Sequence, residues 1–148
     1  MLLSDTVRVD RKKRYSLMDS YTLHCHDVIP NMESKFNAIL RKSISMNLTC
    51  NSNEEEKDVG LQVLVNFLDR TVIRNSKVSG TWGKEEKSIP YFPFAGGEPF
   101  KMEIFCEHQQ FRILVDGQPL CGFTHRIREL QSITVLQISG DMRLTKVA

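Results

Sequence analysis

No run of this 148-residue chain approaches the roughly 18 consecutive apolar residues of a membrane-spanning helix, so insertion by such a segment is excluded. Met1, Leu2 and Leu3 give way at once to polar residues, too short a stretch for a secretory signal. Cysteine is scarce and scattered. Cys25, Cys50, Cys106 and Cys121 contain no C-x-x-C pair and read as free thiols of a reducing compartment. His24-Cys25-His26 lacks further ligands at suitable spacing, so neither a metal nor any other cofactor is expected. An excess of one charge is missing too: Lys+Arg 20 against Asp+Glu 18 leaves +2, with a pI near 8.4, well short of a dedicated nucleic-acid binder. There is no nucleophile elbow, no phosphate loop, and no Ser or Cys set beside a plausible His and acid, so the chain is not expected to be an enzyme. These absences leave a cytosolic or nuclear protein, or one exported by an unconventional route.

What is present is a chain 41% hydrophobic and 26% charged, the balance of one globular domain. At this size about 70% of the unfolded surface is buried on folding, so neither metal nor disulfide is required. Residues 1–30 carry a basic cluster from Arg8 to Arg14 and no sustained period, and read as a loosely ordered extension. The domain proper is assigned to residues 31–148. From Ser43 onward Ile44, Met46, Leu48 and Cys50 alternate with polar residues, the period-2 pattern of a half-buried strand. Leu61, Val63, Val65 and Phe67 repeat it, followed by Val72-Ile73, Met102–Cys106, Phe111–Val115, Ile133–Ser139 and Arg143–Val147. Asp116-Gly117 supplies the two positive-φ residues of a type I′ hairpin, so its flanking strands should be antiparallel neighbours. Only Arg126–Gln131 resembles a helical turn. Short strands at this spacing with almost no helix predict an all-β fold, a two-sheet antiparallel β-sandwich or jelly roll.

The most unusual stretch concentrates Asn66, Arg70, Asn75, the single Trp82, Glu85 and Lys87 within 22 residues. An indole packs the apolar face of a pyranose, while amide, carboxylate and guanidinium groups bond neighbouring hydroxyls in pairs. On a strand running to Arg70, Asn66 and Arg70 point to the same side and Asp69 points away. Asn75 and Glu85 also admit a structural reading as a polar pair tying strands together. Phe92, Phe94 and Phe100 read as core or loop-packing residues, and Asn47-Leu48-Thr49 as part of a strand rather than a used glycosylation site.

Val72-x-x-Asn75-Ser76, then Gly80-x-Trp82-Gly83-x-Glu85-Glu86-Lys87, then Ile89-Pro-Tyr-Phe-Pro-Phe94 and Glu98-Pro-Phe-x-x-Glu-Ile104 resemble the galectins. Phe111–Gly117 and Phe123-Thr-His125-Arg126 extend the resemblance, which covers roughly residues 43–148. It implies a galectin-type jelly roll with a β-galactoside face on one sheet. Carried over by position, Trp82 lies under galactose, Asn75 and Glu85 bond its 6-hydroxyl, and Arg70 bonds the axial 4-hydroxyl and the next sugar. Lys87 stands where the family usually has Arg, replacing a rigid fork with a point charge. His125 and Arg126 are read as bracing a loop through hydrogen bonds.

The same comparison exposes departures. The family's H-x-N-P-R strand reads Asn66-Phe67-Leu68-Asp69-Arg70 here, and Leu68 offers no hydrogen bond. The loop before Val72 is short, and residues 1–40 lack the family's usual opening pattern. Losing two hydrogen bonds of about 0.5–1.5 kcal/mol each, with desolvation added, weakens binding by roughly one to three orders of magnitude. Two functions are therefore expected to compete: a lectin with weakened or shifted affinity for β-galactoside glycans, and a protein-interaction or structural module that has lost sugar binding, its protein partner unidentified. Because the resemblance is poorest at the N-terminus, where many galectins pair, a monomer is expected.

Overall fold

The structure, a computed structural model, describes residues 7–11, 21–25, 32–50 and 57–147. Its strands are β1 (Val7–Arg11), β2 (Tyr21–Cys25), β3 (Met32–Cys50), β4 (Val59–Asn66), β5 (Thr71–Val78), β6 (Thr81–Trp82), β7 (Pro99–Cys106), β8 (Gln110–Val115), β9 (Gln118–Thr124) and β10 (Ile133–Val147). A single 3-10 turn, Leu130–Ser132, is the helical element among the described residues, at the end of the stretch where one was expected.

All pairings are antiparallel, and two long strands make the sandwich. The first half of β3 pairs with β7 from Met32 to Ile39, and its second half pairs with β4 from Ser43 to Thr49. β10 follows β3 along both halves, from Ile133 opposite Cys50 to Val147 opposite Phe36. One hydrogen-bonded ladder therefore folds into two layers, β2–β10–β3–β4–β5–β6 and β10–β3–β7–β8–β9, with β1 outside β2. The crossing is made at Gly140, where φ is +135° and the register slips before Met142. A side chain there would collide with the Ser43 carbonyl oxygen and sit 2.9 Å from the Ile44 Cα.

Alternation puts Ile44, Met46, Leu48, Leu61, Val63 and Val65 on the inner side of the first layer, against Met102, Ile104, Phe111, Ile113 and Val115 of the second. Each such side chain contributes about 1.5–3 kcal/mol on burial, which makes this contact the main source of stability. Phe94 and Phe100 are buried, and a tilted aromatic series runs from Phe67 through Phe92 and Phe94 to Phe100 at centroid separations of 6.3, 5.3 and 4.9 Å. The β8–β9 hairpin turns at Asp116 and Gly117, with φ of +51° and +80°, and the Asp116 carboxylate accepts from the Lys101 N–H at 2.9 Å. Asp58 does the same service at the β5–β6 turn, accepting from the Ser79 and Gly80 N–H groups at 3.0 and 3.2 Å.

Three expectations are corrected. The stretch read as an extension contains β1 and β2, paired to each other, with β2 also paired to β10. Arg143–Val147 is the second half of β10 rather than a separate strand. The strand expected to run to Arg70 stops at Asn66, because Asn66 already pairs with Thr71 and the four residues between them form the turn. Lys12, Lys13, Arg14, His26 and the acidic run Glu54–Glu56 lie outside the described residues.

Burial raises the thiols of Cys50 and Cys121 and pushes Cys106 up to about 11. The unfolded chain ionises Cys106 near 9.0 and the folded chain near 11, so the folded form holds the extra proton in between. This part of the stability is complete below pH 9 and falls by up to about 1.4 kcal/mol per pH between 9 and 11. We expect urea midpoints of the native chain to drop across that window more steeply than those of Cys106→Val. Parallel curves for the two chains contradict it.

Candidate functional site

The outward side of the first layer is built by alternation and register. With Val63, Val65, Met46 and Leu48 turned inward, Gln62, Leu64, Asn66, Ser45 and Asn47 face out. On β5 the outward residues are Thr71, Ile73, Asn75 and Lys77. Residues directly opposite across antiparallel strands share a face. One cross-strand row therefore runs Gln137, Asn47, Gln62, Asn75, all amides. The next row runs Ser139, Ser45, Leu64, Ile73, and the third runs Ser43, Asn66, Thr71. Trp82 pairs with Lys77 on the two-residue strand β6, which places the indole on the same face, and it is 43% exposed.

Beyond Trp82 the chain is held against the sheet. The Gly83 N–H donates to the Ser76 carbonyl at 3.0 Å, and Arg74 and Glu86 exchange backbone bonds of 2.9 and 2.8 Å. The buried Arg74 guanidinium donates to the carbonyls of Val72 and Ser88 at 2.9 and 2.8 Å, fixing the segment's far end. Arg126 fixes its near end. Its guanidinium donates to Asn75 Oδ1 at 2.9 Å, Ser76 Oγ at 3.3 Å, the Lys84 carbonyl at 2.8 Å and Glu86 Oε2 at 3.0 Å, while lying 4.6 Å from the Phe123 ring centroid. The glycine of Trp82-Gly83 follows from this: a Cβ there would stand 2.6 Å from Arg126 Nη1. His125 Nε2 lies 2.7 Å from the Glu107 carbonyl oxygen, so both residues of the His-Arg pair brace loops as expected.

Asn75 is 7% exposed and largely committed. Its Oδ1 accepts from the Ser76 N–H at 2.8 Å as well as from Arg126, and its Nδ2 donates to the Gly83 carbonyl at 2.9 Å. The expected alternative, a structural pair of Asn75 with Glu85, is not formed: the partners of this amide are Ser76, Arg126 and Gly83. Glu85 instead lies 3.5 Å from Lys87, with side chains 50% and 63% exposed, a solvated pair of small energetic weight. Asn66 faces outward and accepts the Asp69 N–H on Oδ1 at 3.0 Å, capping the turn.

Arg70 occupies that turn at φ +54°, its guanidinium carbon 4.9 Å from the Phe92 centroid. It does not extend from a strand beside Asn66, contrary to the sequence reading. Leu68 projects from the turn at 89% exposure. The structure thus brings Asn66, Asn75 and Trp82 to one face, sets Glu85 and Lys87 on the exposed segment after β6, and moves Arg70 to the hairpin tip. The sequence reading missed Asn47, Gln62 and Gln137, whose polar-in-apolar spacing marks each as outward but says nothing of their alignment in one row.

The described residues thus form a two-layer antiparallel sandwich whose first layer carries a polar, indole-bearing outer face. The family profile described as Galactoside-binding lectin matches residues 24–148, and the chain belongs to this family, the galectins, whose members are lectins and not enzymes. Among curated relatives, galectin-4 of Rattus norvegicus is 42% identical over 76 residues, 51% of this chain and 24% of that protein. Galectin-4 of Homo sapiens is 36% identical over 106 residues, 72% of this chain and 32% of that protein. The chain thus spans about a quarter to a third of the length of these relatives. Sheep galectin-11 in complex with glycerol superposes with a TM-score of 0.74 at 23% identity, covering 93% of this chain and 98% of that one. A double-substitution variant of human galectin-16 gives 0.77 at 23% identity over 86% and 92%. These two likenesses establish the fold.

Proposed function

We propose that the domain is a galectin-type lectin whose galactoside face is partly dismantled, with Trp82 as the stacking platform and low affinity for simple β-galactosides. The exposed indole on the same face as Asn75 and Asn66 carries the reading. Weak affinity is supported by three features. Asn75 has its amide oxygen occupied twice within the protein, Arg70 stacks on Phe92 instead of reaching from a strand, and the row between the two polar rows ends on β4 and β5 in the apolar pair Leu64 and Ile73. Asn66, Glu85 and Lys87 remain available for sugar hydroxyls at the margins. Protein-borne glycans ending in β-galactose are the proposed partners, met by a monomer in a reducing compartment or after unconventional export.

Trp82 is the only Trp, so its emission reports on the platform without a label. Titration with lactose is expected to quench or shift it with a midpoint of about 10 mM or higher, given the loss of roughly two hydrogen bonds. A micromolar midpoint overturns the weakened site. A flat response at tens of millimolar lactose, with no retention on immobilised galactose, overturns galactoside binding. The alternative, an interaction module without sugar binding, is favoured by one observation, the commitment of Asn75 to Arg126 and Gly83.

A further inference from the structure

We infer that the face prefers β-galactosides with an apolar aglycone, an alkyl chain or an aryl ring, seated on Leu64 and Ile73 with Leu68 beyond. This rests on the Trp82 face being the sugar site and extends its ligands past protein-borne glycans. Leu64 and Ile73 are directly opposite each other on β4 and β5, both turned outward and half-buried, so together they make one continuous apolar patch. The amide row flanks it on one side, and Asn66 with Thr71 on the other. Asn66 has its amide oxygen on the Asp69 N–H at 3.0 Å, and past it Leu68 stands 89% exposed, the most exposed large apolar side chain among the described residues. That turn breaks two local rules at once. It holds a leucine in water and a non-glycine residue, Arg70, at φ +54°, steadied over the Phe92 ring.

The patch is in line with the platform. Trp82 lies opposite Lys77, and Lys77, Asn75 and Ile73 follow one another on the outward side of β5 at steps of about 7 Å. A galactose stacked on Trp82 with its next ring over Asn75 directs the aglycone onto Ile73 and Leu64. Hydroxyls find no donor or acceptor in either side chain there, while methylene or aromatic groups cover apolar surface that water otherwise wets. The size of the patch also selects its occupant. Two half-buried side chains and a leucine at a hairpin tip fall far short of the roughly 800 Å² per partner of a stable protein interface, yet suit one chain or one ring. A fully buried methylene is worth roughly fourfold in affinity, and a tail that is covered on one side only and loses its rotors keeps part of that.

The test compares methyl, phenyl and octyl β-lactoside by Trp82 emission, each below its micelle concentration, with octyl β-maltoside supplying the same tail without galactose. In the native chain we expect at least one of the octyl and phenyl lactosides to bind about tenfold more tightly than methyl β-lactoside, and octyl β-maltoside to give no response. In the double variant Leu64→Thr, Ile73→Thr, whose β-branched residues suit the strands, that ratio falls to within about twofold of one. Leu68→Ser, at an exposed turn, lowers the octyl gain alone, since only the longer tail reaches the tip. A gain with octyl alone identifies an alkyl chain, and with phenyl alone an aromatic ring. Equal affinity for the three lactosides, a gain that survives in the double variant, or equal binding of octyl β-maltoside overturns the inference, and binding of methyl β-lactoside then keeps the lectin reading standing. A sugar-free native chain that sediments as a dimer, dissociated by the double variant, assigns the patch to a second copy and overturns it as well. Silence toward every lactoside removes both readings.

Discussion

Gly140→Ala is expected to lower the melting temperature by about 10–20 °C. Two costs coincide at this position. A φ of +135° belongs to a region that residues with a Cβ hardly enter, at about 1–3 kcal/mol. The new methyl also meets the Ser43 carbonyl oxygen and the Ile44 Cα of β3, backbone atoms that cannot rotate away. Both lie where β10 crosses from one layer to the other, so relaxation would pull apart the longest ladder of the sandwich. Together these amount to roughly 3–5 kcal/mol against a total of about 5–15 kcal/mol. Gly97 provides the control, since its φ is also positive, at +75°, but nothing lies within 4 Å of a Cβ there. Gly97→Ala therefore carries only the backbone cost. Thermal melts followed by far-ultraviolet circular dichroism separate the two, and a Gly140→Ala midpoint within about 3 °C of Gly97→Ala contradicts the clash.

The role of Gly140 also marks where sequence reasoning stops. Alternation located Ile44 to Cys50 and Phe111 to Val115, and Asp116-Gly117 located its hairpin, because each of those signals is local. A glycine after Ile133–Ser139 reads as the end of a strand by the same local logic. In the structure it is the point where one strand changes layers, and Met142 just beyond it is buried again. Likewise β3 reads as starting near Ser43 because its first half belongs to the other layer and answers to a different partner, β7. Strand periodicity records which side is buried, not which sheet the strand has joined.

The candidate face was legible in composition and partly illegible in geometry. Trp82 was recognisable as exposed because glycines and charges surround it. Arg70 was misplaced because a period of two extends indefinitely on paper, whereas Asn66 and Thr71 are already hydrogen-bonded neighbours and leave only four residues to turn. Restoring a histidine and an asparagine at positions 66 and 68 would put the second of them on that turn, not on a strand. The commitment of Asn75 was invisible for another reason: its decisive partner, Arg126, lies 51 residues away, on the far side of three strands of the second layer.

That partner sets the second large effect. Arg126→Ala is expected to destabilise the domain by about 2–4 kcal/mol and to shift Trp82 emission toward that of a solvated indole. The guanidinium serves four acceptors, Asn75 Oδ1, Ser76 Oγ, the Lys84 carbonyl and Glu86 Oε2, on both sides of the backbone turn at Gly83. Its partial exposure limits the worth of the Glu86 ion pair to about 1 kcal/mol or less. The buried Ser76 hydroxyl left without its donor, and the Asn75 Oδ1 left with the Ser76 N–H alone, supply most of the loss, at about 1–3 kcal/mol each before water enters. Arg126→Lys should recover less than half, since a single ammonium cannot span four acceptors that a planar fork reaches together. Denaturant midpoints give the stability, and the emission maximum gives the loosening of the 82–86 segment. Because Asn75 Oδ1 loses one of its two donors at the same moment, lactose titration of Arg126→Ala asks whether the bond to Arg126 was what withheld that oxygen from sugar. Unchanged stability and emission in Arg126→Ala would show that the segment is held without Arg126, by the Arg74–Glu86 backbone pairing and the bonds of Gly83 to Ser76 and Asn75.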